Sequence, residues 1–99
     1  MRKFHLSNKA VEDLDSIWLY TLETWSESQA DGYYQDLLSA CQYVADHPFY
    51  LDKEYSEIMP GLYCHRCRKH LLFYVVVDDG VEIVRILHER MDIESKFDD

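Results

Sequence analysis

Between residues 10 and 25 the apolar side chains return at steps of three and four, through Ala10, Leu14, Ile17, Trp18, Thr21 and Trp25. Glu12, Asp13, Asp15, Ser16 and Glu23 fall between them. That period predicts an amphipathic helix with one face on a core. Ser7 stands just ahead, with a hydroxyl for the free amides of the first turn. Before it, residues 2–6 place Phe4 and Leu6 on one face, as a short strand does. A second stripe, formed by Ala30, Tyr33, Tyr34, Leu37, Leu38, Cys41, Val44 and Ala45, predicts a second helix. Ser26 and Gln29 have the spacing of a capping box at its start. Pro48 ends it near Asp46, because the residue before a proline is driven out of the helical region. So short a joint makes the two helices an antiparallel hairpin.

Past the irregular stretch closed by Pro60-Gly61, residues 62–68, 70–77 and 81–88 read as three strands. Asp79-Gly80 between two β-branched runs predicts a tight turn whose central residues take positive φ. Residues 71–77 are almost continuously apolar, the mark of a central strand covered on both faces. The helix hairpin covers one face, so the tail, with Met91, Ile93 and Phe97, is assigned to the other. The predicted fold is α+β: an N-terminal strand, an antiparallel helix hairpin, then three antiparallel strands in a mainly antiparallel four-stranded sheet. Two residues break the stripes. Leu19 falls among Glu12, Ser16 and Glu23, and Tyr43 among Gly32, Asp36 and Ser39, so both point away from the core. Single exposed apolar residues are ordinary, but these two are also candidate anchors for a partner segment or a second copy of the chain.

Composition narrows the function. A chain of 99 residues has one core, so residues 1–99 are read as a single domain. With 47% apolar and 14% aromatic residues it folds rather than stays disordered. A net charge of −9 argues against a protein that grips a phosphate backbone, and no sequence-specific nucleic-acid binding is expected. No apolar run approaches a membrane span and the start lacks a signal peptide's apolar stretch, so a cytoplasmic protein without a membrane partner is expected. The basic residues concentrate late: residues 1–60 hold four against eleven acids, residues 61–99 six against eight. An anionic ligand is therefore sought in the C-terminal half.

Three cysteines do not make a disulfide framework, and reduced thiols are expected. Cys64-His65-Arg66-Cys67 with His70 has the outward look of a zinc site. On a strand, however, Cys64 and Cys67 point to opposite faces, and no second pair completes four ligands. No metal or cofactor is expected.

The sequence resembles the ParE branch of the RelE/ParE toxin superfamily over essentially its whole length. Leu6-Ser7, Ala10, Asp13-Leu14, Ile17-Trp18, Tyr20-Thr21, Trp25, Gln29-Ala30 and Tyr33 carry the first part, followed by Pro60-Gly61, His70 and Phe73-Tyr74. The most specific block is Glu82-Ile83-Val84-Arg85-Ile86-Leu87-His88, running into Arg90-Met91-Asp92. The resemblance implies the toxin of a type II toxin-antitoxin pair, neutralised by a ParD-like or related antitoxin and directed at DNA gyrase. Relatives of the RelE type cut mRNA on the ribosome instead.

A ribonuclease of that kind needs cations for the phosphate and an acid and a base for proton transfer. Arg66, Arg85, His88 and Glu89 are the candidates. Arg85 and His88 are three apart on a strand and should face opposite sides unless a bulge intervenes, and the tail holds no Tyr or His. No catalytic residue is assigned. Arg85 is read either as functional or as a half-buried guanidinium paired with a helix carboxylate such as Asp13. The expectation is a toxin that binds gyrase through the end of the last strand, at His88, Arg90, Met91 and Asp92, and its antitoxin through Leu19 and Tyr43. The alternatives are a ribosome-dependent mRNA endonuclease and a non-toxic member that only pairs with an antitoxin.

Overall fold

Ser7 does what its position predicts and one thing more. Its hydroxyl oxygen accepts the Ala10 amide at 3.0 Å and donates to the Val84 carbonyl at 2.7 Å, so the cap of the first helix is also its tie to the last strand. In the computed structural model, which describes residues 2–48 and 52–97, β1 (Lys3–Leu6) leads through Ser7 into α1 (Asn8–Thr24). Ser26 then caps α2 (Glu27–Asp46), accepting the Gln29 amide at 3.1 Å. The chain continues through β2 (Lys53–Glu54), β3 (Tyr63–Cys67), β4 (His70–Val77), β5 (Gly80–His88) and α3 (Ile93–Phe97).

The strands form one sheet in the order β1-β5-β4-β3-β2, with β1 parallel to β5 and every other pair antiparallel. The sheet has five strands, not four. The added strand, β2, pairs Lys53 with Cys64 and Glu54 with Tyr63, and two residues are too few to show an alternating pattern. The hairpin turn is also displaced by one residue from the predicted Asp79-Gly80. Val77 pairs with Gly80, which leaves Asp78-Asp79 as the loop, and among the described residues only Arg68 and Gly61 have positive φ. Gly80 is needed for space instead of for φ. A Cβ there would lie 1.7 Å from the carbonyl oxygen of Lys3, its register partner on β1.

Apolar residues lie on both faces of the sheet. Between helices and sheet, Leu14, Leu37, Val44, Leu72, Ile83 and Ile86 are buried together. On the opposite face Leu62, Cys64, Phe73 and Leu87 are closed over by Tyr55, Ile58, Met59 and, from the tail, Ile93 and Phe97. Met91 takes no part in that cover and is 43% exposed, because the chain turns at the end of β5 before α3 begins. A register shift in β5 pairs Phe73 with Arg85 and Tyr74 with Ile83, passing over Val84. It changes the phase of the strand, so Ile83 and Ile86, three apart, share the helix side. Cys64 belongs to the second cluster and Cys67 packs on the first, the opposed placement that strand geometry requires.

Candidate functional site

Trp25 departs furthest from its predicted place. The stripe puts it in the core, yet it is 68% exposed. α1 ends at Thr24, Trp25 is the capping residue with φ −121° and ψ −92°, and the helical phase no longer applies to it. With Tyr20, also 68% exposed, it forms one wall of an open groove of about 1510 Å³. Ile17, Thr21 and Ile86 line its base, and Arg66, Arg68, Lys69 and Arg90 approach from the side of the β3–β4 turn and the end of β5.

In the groove, Tyr33 from α2 meets His70 of β4, which in turn meets His88 of β5. His70 and His88 are cross-strand partners, with rings set edge to face at 5.2 Å. The Tyr33 hydroxyl lies 2.6 Å from His70 Nδ1 and accepts the Lys69 amide at 3.4 Å. Burial, helped by the neighbouring His88, pushes the His70 ring down to about 4. At neutral pH it is therefore uncharged, with Nδ1 hydrogen-bonded to the Tyr33 hydroxyl. Burial raises the Tyr33 hydroxyl above its usual value, so it too stays protonated. His88 Nδ1 accepts the Arg90 amide at 3.1 Å, which orients the turn leaving β5.

The cations are not equivalent. Arg66 pairs with Glu89, and Arg68 reaches Asp36 through Nε at 2.7 Å while lying over the Tyr33 ring at 5.3 Å. The side chains of Lys69 and Arg90 meet no acid or acceptor among the described residues. The four ribonuclease candidates are thus split. Arg85 does not line the groove; its fork is closed on Asp13, with Nε to Oδ2 at 2.8 Å and Nη2 to Oδ1 at 2.9 Å. Arg85 is thus paired with the helix carboxylate Asp13.

His88, Arg90 and Met91 share the groove, and Asp92 does not line it. The carbonyl of Asp92 accepts the Ser95 hydroxyl at 2.9 Å at the start of α3. Leu19 is 51% exposed, beside Trp18 and Tyr34 in a separate hollow of about 570 Å³, where the Trp18 indole donates to Asp31 at 3.1 Å. Tyr43 is 39% exposed and outside that hollow, stacked on His47 with centroids 4.5 Å apart. Both residues point outward, on different helices.

Burial pushes the Cys41 and Cys64 thiols up to about 12, which leaves them protonated and poor ligands or nucleophiles. Among the described residues no three His, Cys, Asp or Glu side chains are placed to hold a metal ion, and no helix is long and apolar enough to cross a membrane. The aromatic wall of Tyr20, Trp25 and Tyr33, with Lys69 and His70 beside it, was not anticipated as a unit. The available signal was Ser26: a capping residue directly after Trp25 cuts the first stripe at Thr21.

The family model described as the ParE toxin of the type II toxin-antitoxin system parDE matches residues 4–93. Toxin ParE1 of Mycobacterium tuberculosis is 34% identical over 96 residues, covering 96% of this chain and 97% of the relative. A solved chain from the chromosomal ParDE system of P. aeruginosa superposes with a TM-score of 0.71 at 18% identity, covering 89% of this chain and 96% of that one. A chain of the YoeB-YefM complex from Staphylococcus aureus gives 0.58 at 16%, covering 89% and 97%.

Proposed function

This chain belongs to the ParE toxin family of type II toxin-antitoxin systems, and from that premise we propose that it acts by binding, as an inhibitor of DNA gyrase held in check by a cognate antitoxin. The single observation that supports binding over cleavage is the fate of the cations. Arg85 is committed to Asp13 and does not itself line the groove, and Arg66 is committed to Glu89, while His70 is neutral with Nδ1 bonded to Tyr33. Among the described residues no pair of free groups remains beside an unpaired arginine for proton transfer and charge stabilisation. What remains free is a surface of the kind that anchors partners: exposed Trp25, Tyr20 and Met91 beside Arg90. Gyrase as the target follows from the family resemblance, and His88, Arg90 and Met91 are the contacting residues we assign, with Asp92 at the border.

The test is a supercoiling assay with purified protein, run beside translation-dependent mRNA cleavage. We expect gyrase inhibition that the antitoxin reverses, no cleavage, and weaker inhibition by folded Arg90→Ala and His88→Ala. If the folded protein in large excess leaves supercoiling and cleavage-complex formation unchanged, the gyrase assignment fails. If it cuts mRNA, the binding reading fails.

A further inference from the structure

The groove carries a chemical preference of its own. Lys69 and Arg90 lie at one end of the sheet, joined through the backbone, where the Glu89 amide donates to the Lys69 carbonyl at 2.9 Å. Glu89, the carboxylate next to Arg90 in sequence, is taken by Arg66. In a chain of charge −9, two like charges are thus left together without a counter-charge among the described residues. Facing them, Trp25, Tyr20 and Met91 leave large apolar surfaces open around the same hollow, and the Trp25 indole and Tyr20 hydroxyl have no partner among the described residues. With His70 neutral, Ile17, Thr21 and Ile86 leave the groove floor largely apolar, the lining carboxylates Asp13 and Asp36 are taken by Arg85 and Arg68, and Lys69 and Arg90 keep the rim positive.

We infer that this groove receives an acidic segment of a protein partner, which sets an apolar side chain against Trp25 and Met91 and carboxylates against Lys69 and Arg90. The inference rests on the reading that the end of β5 is the working surface, and it does not require gyrase to be the partner. The groove, at about 1510 Å³, exceeds the ~300–1,000 Å³ usual for a small molecule and suits several residues of a peptide. A single-stranded nucleic acid would also find aromatic faces and cations. Its charge repeats along its length, however, and beyond two free cations it meets arginines already neutralised by Glu89 and Asp36 and then an acidic surface. Carboxylates confined to one short segment match the rim without that repulsion.

The test is calorimetric titration of the intact protein with a short synthetic peptide of Glu and Asp residues around a central Phe-Leu pair. Its Gln/Asn counterpart, a version with Ser-Ser at the centre, and an oligouridylate of similar length are titrated in parallel. We expect the acidic peptide to bind roughly tenfold or more tighter than either peptide control, and Lys69→Gln or Arg90→Gln to remove most of that margin at low salt. Trp25→Ser, at an exposed position, should weaken binding with the fold intact by circular dichroism. The inference is overturned if the acidic peptide binds no better than its amide counterpart, if Trp25→Ser and Arg90→Gln bind like the parent, or if the oligouridylate binds more tightly. Peptide binding without effect on supercoiling would sink the gyrase assignment alone, and supercoiling inhibition without peptide preference would sink this inference alone.

Discussion

Asp13 and Arg85 lock three elements with one ion pair. The carboxylate takes both prongs of the guanidinium and the Ile86 amide at 2.9 Å, while Arg85 Nη1 donates to the Lys96 carbonyl of α3 at 2.8 Å. The side chains are only 12% and 14% exposed, so removing one partner strands a charge in a poorly solvated place. Arg85→Ala should cost about 3–5 kcal/mol in urea denaturation. Arg85→Lys should recover little, because an ammonium cannot reproduce the fork. A double Asp13→Ala, Arg85→Ala variant should lose clearly less than the sum of the single losses; simple additivity would show that the pair is not coupled.

Gly80 should tolerate no side chain. A Cβ at 1.7 Å from the Lys3 carbonyl can be relieved only by moving β1, since the obstacle is backbone. Gly80→Ala should destabilise by about 3 kcal/mol, at the upper end of overpacking penalties. Hydrogen exchange should show the loss first in the Lys3 and Ser7 amides, which bond to the Asp79 and Ile83 carbonyls. Unchanged protection there would refute the steric account.

His70 makes the fold acid-sensitive. In the unfolded chain the ring takes its proton near 6.5, in the folded protein near 4. Acid between those values therefore favours the unfolded state. The contribution is complete above about pH 6.5, falls as pH drops, and is gone below about 4. A dry ring would give about 3 kcal/mol, and roughly 1–2 kcal/mol remains after screening of its solvent-facing part. His70→Phe should flatten the stability profile between pH 6.5 and 4 relative to the parent; parallel profiles would exclude this origin.

Leu19→Glu and Tyr43→Glu, made separately, should each weaken antitoxin binding roughly tenfold or more, while changing melting temperature by only a few degrees. Both side chains project outward, so the fold has little stake in them. The antitoxin segment is expected to bring basic residues to this acidic surface, so association should also slow as salt rises. An affinity indifferent to both substitutions would remove them as anchors.

The elements were legible because they obey period and capping rules that use neighbours in sequence. Ser7, Ser26 and the stripes through Leu14 and Leu37 are such cases, and the Arg85–Asp13 pair followed from one cation on a strand facing an acidic helix. The groove was harder to see because its parts come from five elements, α1, α2, β3, β4 and β5. Trp25 is exposed by the end of a helix, Lys69 by a turn, and His70 and His88 meet through strand register. No spacing along the chain encodes those meetings. The Asp78-Asp79 loop escaped for a related reason: Gly80 answers to Lys3, far away in sequence, and not to the turn beside it.

The parallel pairing of β1 with β5 also sets a timetable. Lys3–Leu6 leaves the ribosome ahead of the helix hairpin, and its partner residues Gly80–Ile83 follow only after β4. Until they emerge, the apolar faces of α1 and α2 have no complete sheet to cover, and Ser7 has no Val84 carbonyl to bond. The groove depends on His88, Arg90 and Met91, which follow later still. A nascent chain of this protein is therefore a helix hairpin in waiting, and the working surface assembles only after β5 and the turn that leaves it have emerged.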